Sequence, residues 1–233
     1  MSNPIQALHA LGQSLWYDNI QRRLLENGEL AEMIRRGDIR GITSNPSIFH
    51  NAIAKSSDYD AALKPMAWAN WSAEDIFFQL AVEDIQAAAD CFLPLYQSTA
   101  GGDGYVSLEV SPYLAHDTEA TFQQALALRS RVNRPNLMVK IPATKAGLPA
   151  IRKAIAAGIN VNVTLIFSIQ RYLEVMDAYL SGLEDRLAAG LPLGEIASVA
   201  SFFVSRVDSK VDSLLQKARS EERRVGKECR SRW

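Results

Sequence analysis

Cysteine is scarce: the 233-residue chain holds two, Cys91 and Cys229. Two cysteines make neither a disulfide framework nor a zinc spacing. Cys91 sits in the apolar run AAADCFLPL, where an inert, packed thiol is expected. A surplus of one charge is also missing. The net charge is −1 and the pI about 6.3, so nothing steers the chain toward nucleic acid or an anionic membrane surface. No run approaches the ~20 apolar residues of a membrane span. The start, MSNPIQALHALGQ, lacks the basic-then-apolar pattern of a signal peptide, so a cytoplasmic protein is expected. His9, His50 and His116 show no metal-ligand grouping. What remains is ordinary globular composition, 48% hydrophobic and 22% charged, with 13 Gly and 9 Pro. The length suits one large domain or two small ones, and a complete α/β barrel of ~250 residues would be slightly cramped.

Strand-like and helix-like segments alternate along the chain. Strands are expected over residues 14–18, 41–45, 105–112, 136–144, 160–167 and 198–207. Helices are expected between them, opened by Asn3-Pro4, Asn45-Pro46, Ser72 with Asp75 as a capping box, Asp117 and Ser168. Gly158 reads as a helix stop. About six β/α units in order imply a parallel sheet, doubly wound or a barrel.

Side chains alternate across a strand, which separates two faces. Asn160, Asn162 and Thr164 share one face, as do Ser107, Glu109 and Ser111, then Gly41, Thr43 and Asn45, and Lys140 with Met138 and Pro142. A doubly wound sheet has helices on both faces and should be apolar throughout. In a barrel one face packs on helices and the other lines the interior, so the polar residues converge. The pattern favours a barrel with a polar lumen and reactive groups at the C-terminal strand ends.

Lys140, in MVKIPAT, is the central candidate. One reading is a buried lysine paired with Glu109. The other is a Schiff-base nucleophile. A free lysine of pKa ~10.4 is neutral about once in 2,500 molecules at pH 7. Burial disfavours the ammonium and frees the amine to attack a ketone. The iminium then acts as an electron sink for carbon–carbon cleavage, with a carboxylate and a hydroxyl to move protons. That chemistry needs neither metal nor organic cofactor.

The segments LWYDNIQR, GITSNPSIF, YVSLEVSP, LMVKIPAT, NVNVTLIF and ASFFVSRVD together resemble the transaldolase family over residues 4–218. The likeness is greatest to its longer bacterial branch, some members of which are fused to a glucose-6-phosphate isomerase. The resemblance implies a (β/α)8 TIM barrel and transfer of a dihydroxyacetone unit between sugar phosphates in the pentose phosphate pathway. It implies Lys140 as the Schiff-base lysine and Asp18 as the acid/base at the C4 hydroxyl. Glu109 is implied as the second acid/base, acting through a water held by Thr164. Asn45, Asn162 and Ser201 would contact the three-carbon unit and Arg206 the phosphate. From the residues alone, Asp18 and Asn45 could instead cap helices and Arg206 could be a solvated charge. The sequence Ser201-Phe-Phe-Val-Ser-Arg206 departs from the family pattern, which often has Pro after the Ser and Gly before the Arg.

From Arg219 the composition changes abruptly, to six basic and three acidic residues in RSEERRVGKECRSRW. That string resembles, residue for residue, an in-frame translation of a DNA-sequencing adapter. The expected organisation is therefore an incomplete barrel over residues 1–218, ending after about the sixth β/α unit, and a non-native tail over 219–233. Three alternatives to a transaldolase stay open: a fructose-6-phosphate aldolase releasing free dihydroxyacetone, a sugar-phosphate-binding pseudoenzyme, and an inactive fragment.

Overall fold

The computed structural model describes residues 4–218. The expected tail and the Asn3 cap lie outside the described residues. Six strands form one sheet: β1 (Trp16–Asp18), β2 (Gly41–Thr43), β3 (Val106–Glu109), β4 (Leu137–Pro142), β5 (Val161–Ile166) and β6 (Ser198–Phe202). All five pairings are parallel, and the spatial order is the chain order. Every crossover thus steps the same way, whereas a doubly wound sheet reverses its order at a switch point.

Around the sheet run α1 (Pro4–Ala10), α2 (Arg22–Glu26), α3 (Glu29–Arg35), α4 (Pro46–Ala54), α5 (Asp60–Trp68), α6 (Ala73–Ser98), α7 (Thr118–Val132), α8 (Gly147–Ala156), α9 (Ile169–Ala188) and α10 (Val204–Ala218). Four helix starts are capped as their residue types require. The side-chain oxygens of Asn45, Ser72, Asp117 and Ser168 accept from the backbone N–H groups of Ile48, Asp75, Ala120 and Arg171. The expected strand over 198–207 is shorter. It ends at Phe202, where the Phe203 N–H makes the last link to the Ile166 carbonyl, and α10 begins at Val204. The expected strand over 14–18 begins only at Trp16.

The two faces of the sheet divide as the alternation requires, except at the end of β5, where an irregularity with Leu165 at φ 60° exposes that side chain and turns Ile166 into the core instead. Val106, Leu108, Leu137, Val139, Ile141, Val161, Val163 and Ile166 point outward. They join Ile85, Phe92, Leu128, Ile151 and Ile155 of α6, α7 and α8 in one buried cluster. The opposite face carries Asp18, Thr43, Ser107, Glu109, Lys140 and Asn162, aligned by the pairings Asp18↔Thr43, Thr43↔Ser107, Glu109↔Lys140 and Lys140↔Asn162.

Side chains on this face reach across an intervening strand. Lys140 Nζ on β4 donates to the Ser44 carbonyl just past β2 at 2.9 Å, and Asn162 Nδ2 on β5 donates to Ser107 Oγ on β3 at 3.1 Å. In a flat sheet such positions lie about 9.6 Å apart, beyond what an Asn and a Ser can bridge. The sheet therefore curls, concave on the polar face, as a partial barrel.

Candidate active site

Lys140 occupies the middle of the concave wall with 5% of its surface exposed. Its ammonium donates to the Ser44 carbonyl at 2.9 Å and lies 3.5 Å from Glu109 Oε2. The Ser44 carbonyl is itself held in place, because the buried Ser44 hydroxyl donates to the Ser107 carbonyl at 2.7 Å. The ion pair that one sequence reading foresaw is thus present. It sits in a polar lumen with a second carboxylate nearby, which packing alone does not call for.

Burial pushes the Glu109 carboxyl above its ordinary value. The attraction of Lys140 opposes this, and the negative charge of Asp18 adds to it. The register Asp18↔Thr43↔Ser107, with Glu109 two residues beyond Ser107, puts both carboxylates on the same face of the sheet. A carboxyl raised in the folded state binds its proton more tightly there than in the unfolded chain. Ionising it therefore lowers stability as pH rises from the ordinary value of about 4.3 to the raised folded value. Glu109→Gln should accordingly raise the thermal midpoint at neutral pH, with the Lys140 attraction already counted. The gain should shrink to nothing as pH falls below about 4.3. Thermal unfolding of both proteins across this range checks it, and a pH-independent difference would contradict it.

Asn162 makes one hydrogen bond at each end of its amide. Its amide nitrogen donates to Ser107 Oγ, and its carbonyl oxygen accepts from Ser201 Oγ at 2.9 Å. Thr164, one step further up β5, is 1% exposed and on the same face. Asn45 stands at the mouth of β2, with its side-chain oxygen capping α4 through the Ile48 N–H at 3.0 Å. The capping alternative therefore holds for that oxygen, and the amide nitrogen is the group left to donate. Asp18 ends β1, exposed at the rim.

Arg206 is not joined to this cluster. It is exposed on the first turn of α10, with its guanidinium over the Phe203 ring at 4.6 Å, and Phe203 makes an edge contact with Phe167. Three residues without an assigned role emerge: Ser44, Ser107 and Thr43, whose hydroxyl is buried without a partner. The alternation had placed Thr43 and Ser107 on the correct face. The role of Ser44 is a backbone one, which side-chain patterning does not reveal. Among the described residues no three His, Cys, Asp or Glu side chains gather as a metal site, and no helix is long and apolar enough to cross a membrane.

Comparison with known proteins agrees with this geometry. A family model described as Transaldolase/Fructose-6-phosphate aldolase matches residues 15–230. The chain is 50% identical over 225 residues to "Transaldolase 1" of Streptomyces avermitilis, covering 95% of this chain and 60% of that protein. It is 52% identical over 222 residues to a transaldolase of Thermobifida fusca, covering 95% and 60%. A transaldolase of Trichodesmium erythraeum is 48% identical over 215 residues, covering 92% and 57%. The chain thus spans about three-fifths of the length of the curated relatives it matches. With a curled, all-parallel α/β sheet that sets a buried lysine beside a carboxylate, the chain belongs to the transaldolase/fructose-6-phosphate aldolase family.

Proposed function

We propose that the protein is a transaldolase working through a Schiff base on Lys140. The observation that carries this is the buried lysine facing Glu109 and sharing its lumen with Asp18. The Lys140 amine adds to the C2 carbonyl of a ketose phosphate. Loss of water, with Glu109 moving the protons through a water held by Thr164, leaves an iminium. Asp18 takes the C4 hydroxyl proton, the C3–C4 bond breaks, and its electron pair passes to the iminium, giving an enamine. The aldose phosphate departs. An incoming aldose phosphate reverses these steps, and water releases the new ketose phosphate.

Asn45, Asn162 and Ser201 would hold the hydroxyls of the three-carbon unit. Arg206 would swing from Phe203 to the phosphate, which a guanidinium matches well. The substrates are sugar phosphates, sedoheptulose 7-phosphate or fructose 6-phosphate with an aldose phosphate acceptor, and the place of action is the cytoplasm.

The finer fold belongs to the same proposal: a (β/α)8 barrel, of which this chain supplies six units within residues 1–218. Two facts support it. Both β1 and β6 are sheet edges. In addition, α9 presents an exposed apolar seam of Ile169, Leu173, Met176, Leu180 and Leu187, and α10 exposes Val204, Val211 and Leu214. Two further β/α units would cover these surfaces.

The deciding experiment is borohydride reduction in the presence of fructose 6-phosphate, followed by peptide mass spectrometry. A three-carbon adduct on Lys140 is expected, and its yield should fall when erythrose 4-phosphate is added to accept the unit. Release of free dihydroxyacetone with no dependence on an acceptor would favour the aldolase reading instead. A cooperatively folded chain without any adduct on Lys140 would overturn the Schiff-base reading.

A further inference from the structure

Asp18 is the member of the proposed machinery with the least direct support. Its carboxylate is exposed and accepts no hydrogen bond from the described residues, and β1 is a three-residue edge strand paired on one side only. The position of Asp18 is therefore set by its backbone, through the pairing with Thr43 on one side and the chain that follows on the other. That following chain has two anchors: Ile20, which is fully buried, and Arg22, at the start of α2.

Arg22 is held by an unusual number of groups for a residue outside the lumen. Its Nε donates to Asp84 Oδ1 at 2.8 Å and its Nη2 to Glu83 Oε2 at 2.9 Å, both on α6. Its backbone N–H donates to the Tyr59 hydroxyl at 3.0 Å, and that hydroxyl donates to Asp84 Oδ2 at 2.7 Å. The guanidinium also lies over the Tyr59 ring at 4.7 Å. Asp84 and Tyr59 are 2% and 1% exposed. A carboxylate this deeply buried contributes little net stability against an apolar replacement, because desolvation offsets the attraction. What the network does supply is fixed geometry, since both backbone and side chain of Arg22 are tied to one rigid point.

That point is on α6, and α6 also backs the other acid/base. Its Ile85, Ala88, Ala89 and Phe92 pack against Val106 and Leu108 of β3, the strand that ends in Glu109. The cluster therefore links the loop of Asp18 to the wall of Glu109. We propose that Arg22, Asp84 and Tyr59 are positioning residues that fix Asp18 relative to Lys140 and Glu109, and so govern carbon–carbon cleavage rather than imine formation. This rests on the transaldolase reading, in which Asp18 deprotonates the C4 hydroxyl.

The two steps leave different masses on Lys140. Imine formation without cleavage leaves, after reduction, the whole six-carbon phosphate; cleavage leaves three carbons. The ratio of the two adducts is measured within folded molecules only, so partial unfolding does not alter it. The test compares the full chain with its Arg22→Lys, Tyr59→Phe and Arg152→Lys variants, each reduced with borohydride in fructose 6-phosphate. Arg152 is the control, since it makes an exposed ion pair with Asp185 between α8 and α9.

Mispositioning of a reacting group by about 1 Å costs on the order of 10²-fold in rate. The three-carbon to six-carbon ratio should fall by up to that factor in Arg22→Lys and Tyr59→Phe, and stay unchanged in Arg152→Lys. A lower total yield at an unchanged ratio would assign the cluster a purely structural role and overturn the proposal. Six-carbon adduct alone in every protein, the unsubstituted chain included, would overturn it by removing cleavage from Asp18. No adduct on Lys140 in the unsubstituted chain would overturn the Schiff-base reading first, and this proposal with it.

Discussion

Lys140→Met is expected to remove every trace of reducible adduct and to lower turnover on the order of 10⁴–10⁶-fold, the scale on which loss of a covalent nucleophile acts. Methionine is the informative replacement because it fills the buried volume of the lysine stem without leaving a cavity. The companion Lys140→Arg keeps a cation beside Glu109 but no attacking amine, so it too should form no adduct. The two should differ in Glu109. With Lys140→Met, the attraction that holds the Glu109 pKa down is lost while burial and the Asp18 charge remain, so its pKa climbs further. With Lys140→Arg that attraction is retained. Adduct mass on Lys145, five residues along in the turn after β4, would mean that the wrong lysine had been assigned.

Much of this site could be read from the chain because strand alternation carries facing information. The sequence NVNVTLI separates Asn162 and Thr164 from Val161 and Val163, and MVKIP does the same for Lys140, so the polar lumen follows from residue order. Local chemistry likewise announced the caps at Asn45, Ser72, Asp117 and Ser168. Distances across the lumen could not be read this way. The bonds from Lys140 to Ser44 and from Asn162 to Ser107 join residues 96 and 55 positions apart, and they exist only because the sheet curls. The Arg22–Asp84 pair, 62 positions apart, is hidden for the same reason, since Asp84 in isolation looks like any acid on a helix.

Two elements were obscured by local ambiguity. Residues 198–207 are rich in Val and Phe, the residue types a strand favours. With the residues that follow, Val204, Val207 and Val211 also fall at helical spacing, and the last ladder bond at Phe203 decides between the two. Helix α5 carries Pro65 in its interior, a residue that ordinarily argues against a helix. There tertiary packing prevails. Tyr59, just before α5, is buried against Leu80, with Leu63 and Met66 packed on the same cluster.

Phe92→Ala should produce the largest loss of stability in the molecule. Phe92 is fully buried on α6, in the one cluster that joins α6 to the outward faces of β3, β4 and β5. Its truncation removes the largest side chain at the point where the longest helix meets the sheet. Few neighbours can move into the space. Ala88 and Ala89 are too short, and Gly104 approaches from behind with a left-handed backbone (φ 82°), at a site where even a methyl group would meet the Tyr96 amide and the Phe92 carbonyl. Deleting a buried phenyl ring typically costs about 3–5 kcal/mol, the upper part of that range applying where the site cannot collapse. Urea unfolding followed by far-ultraviolet circular dichroism measures the difference directly. A loss of that size with an unchanged denaturant slope is expected, since the same surface is exposed on unfolding in both proteins. A loss below about 1 kcal/mol would mean that the six-stranded region lacks the tight packing native cores show. The open edges at β1 and β6 would then govern its stability, and chains extended by the two proposed β/α units should recover the full sensitivity to Phe92→Ala.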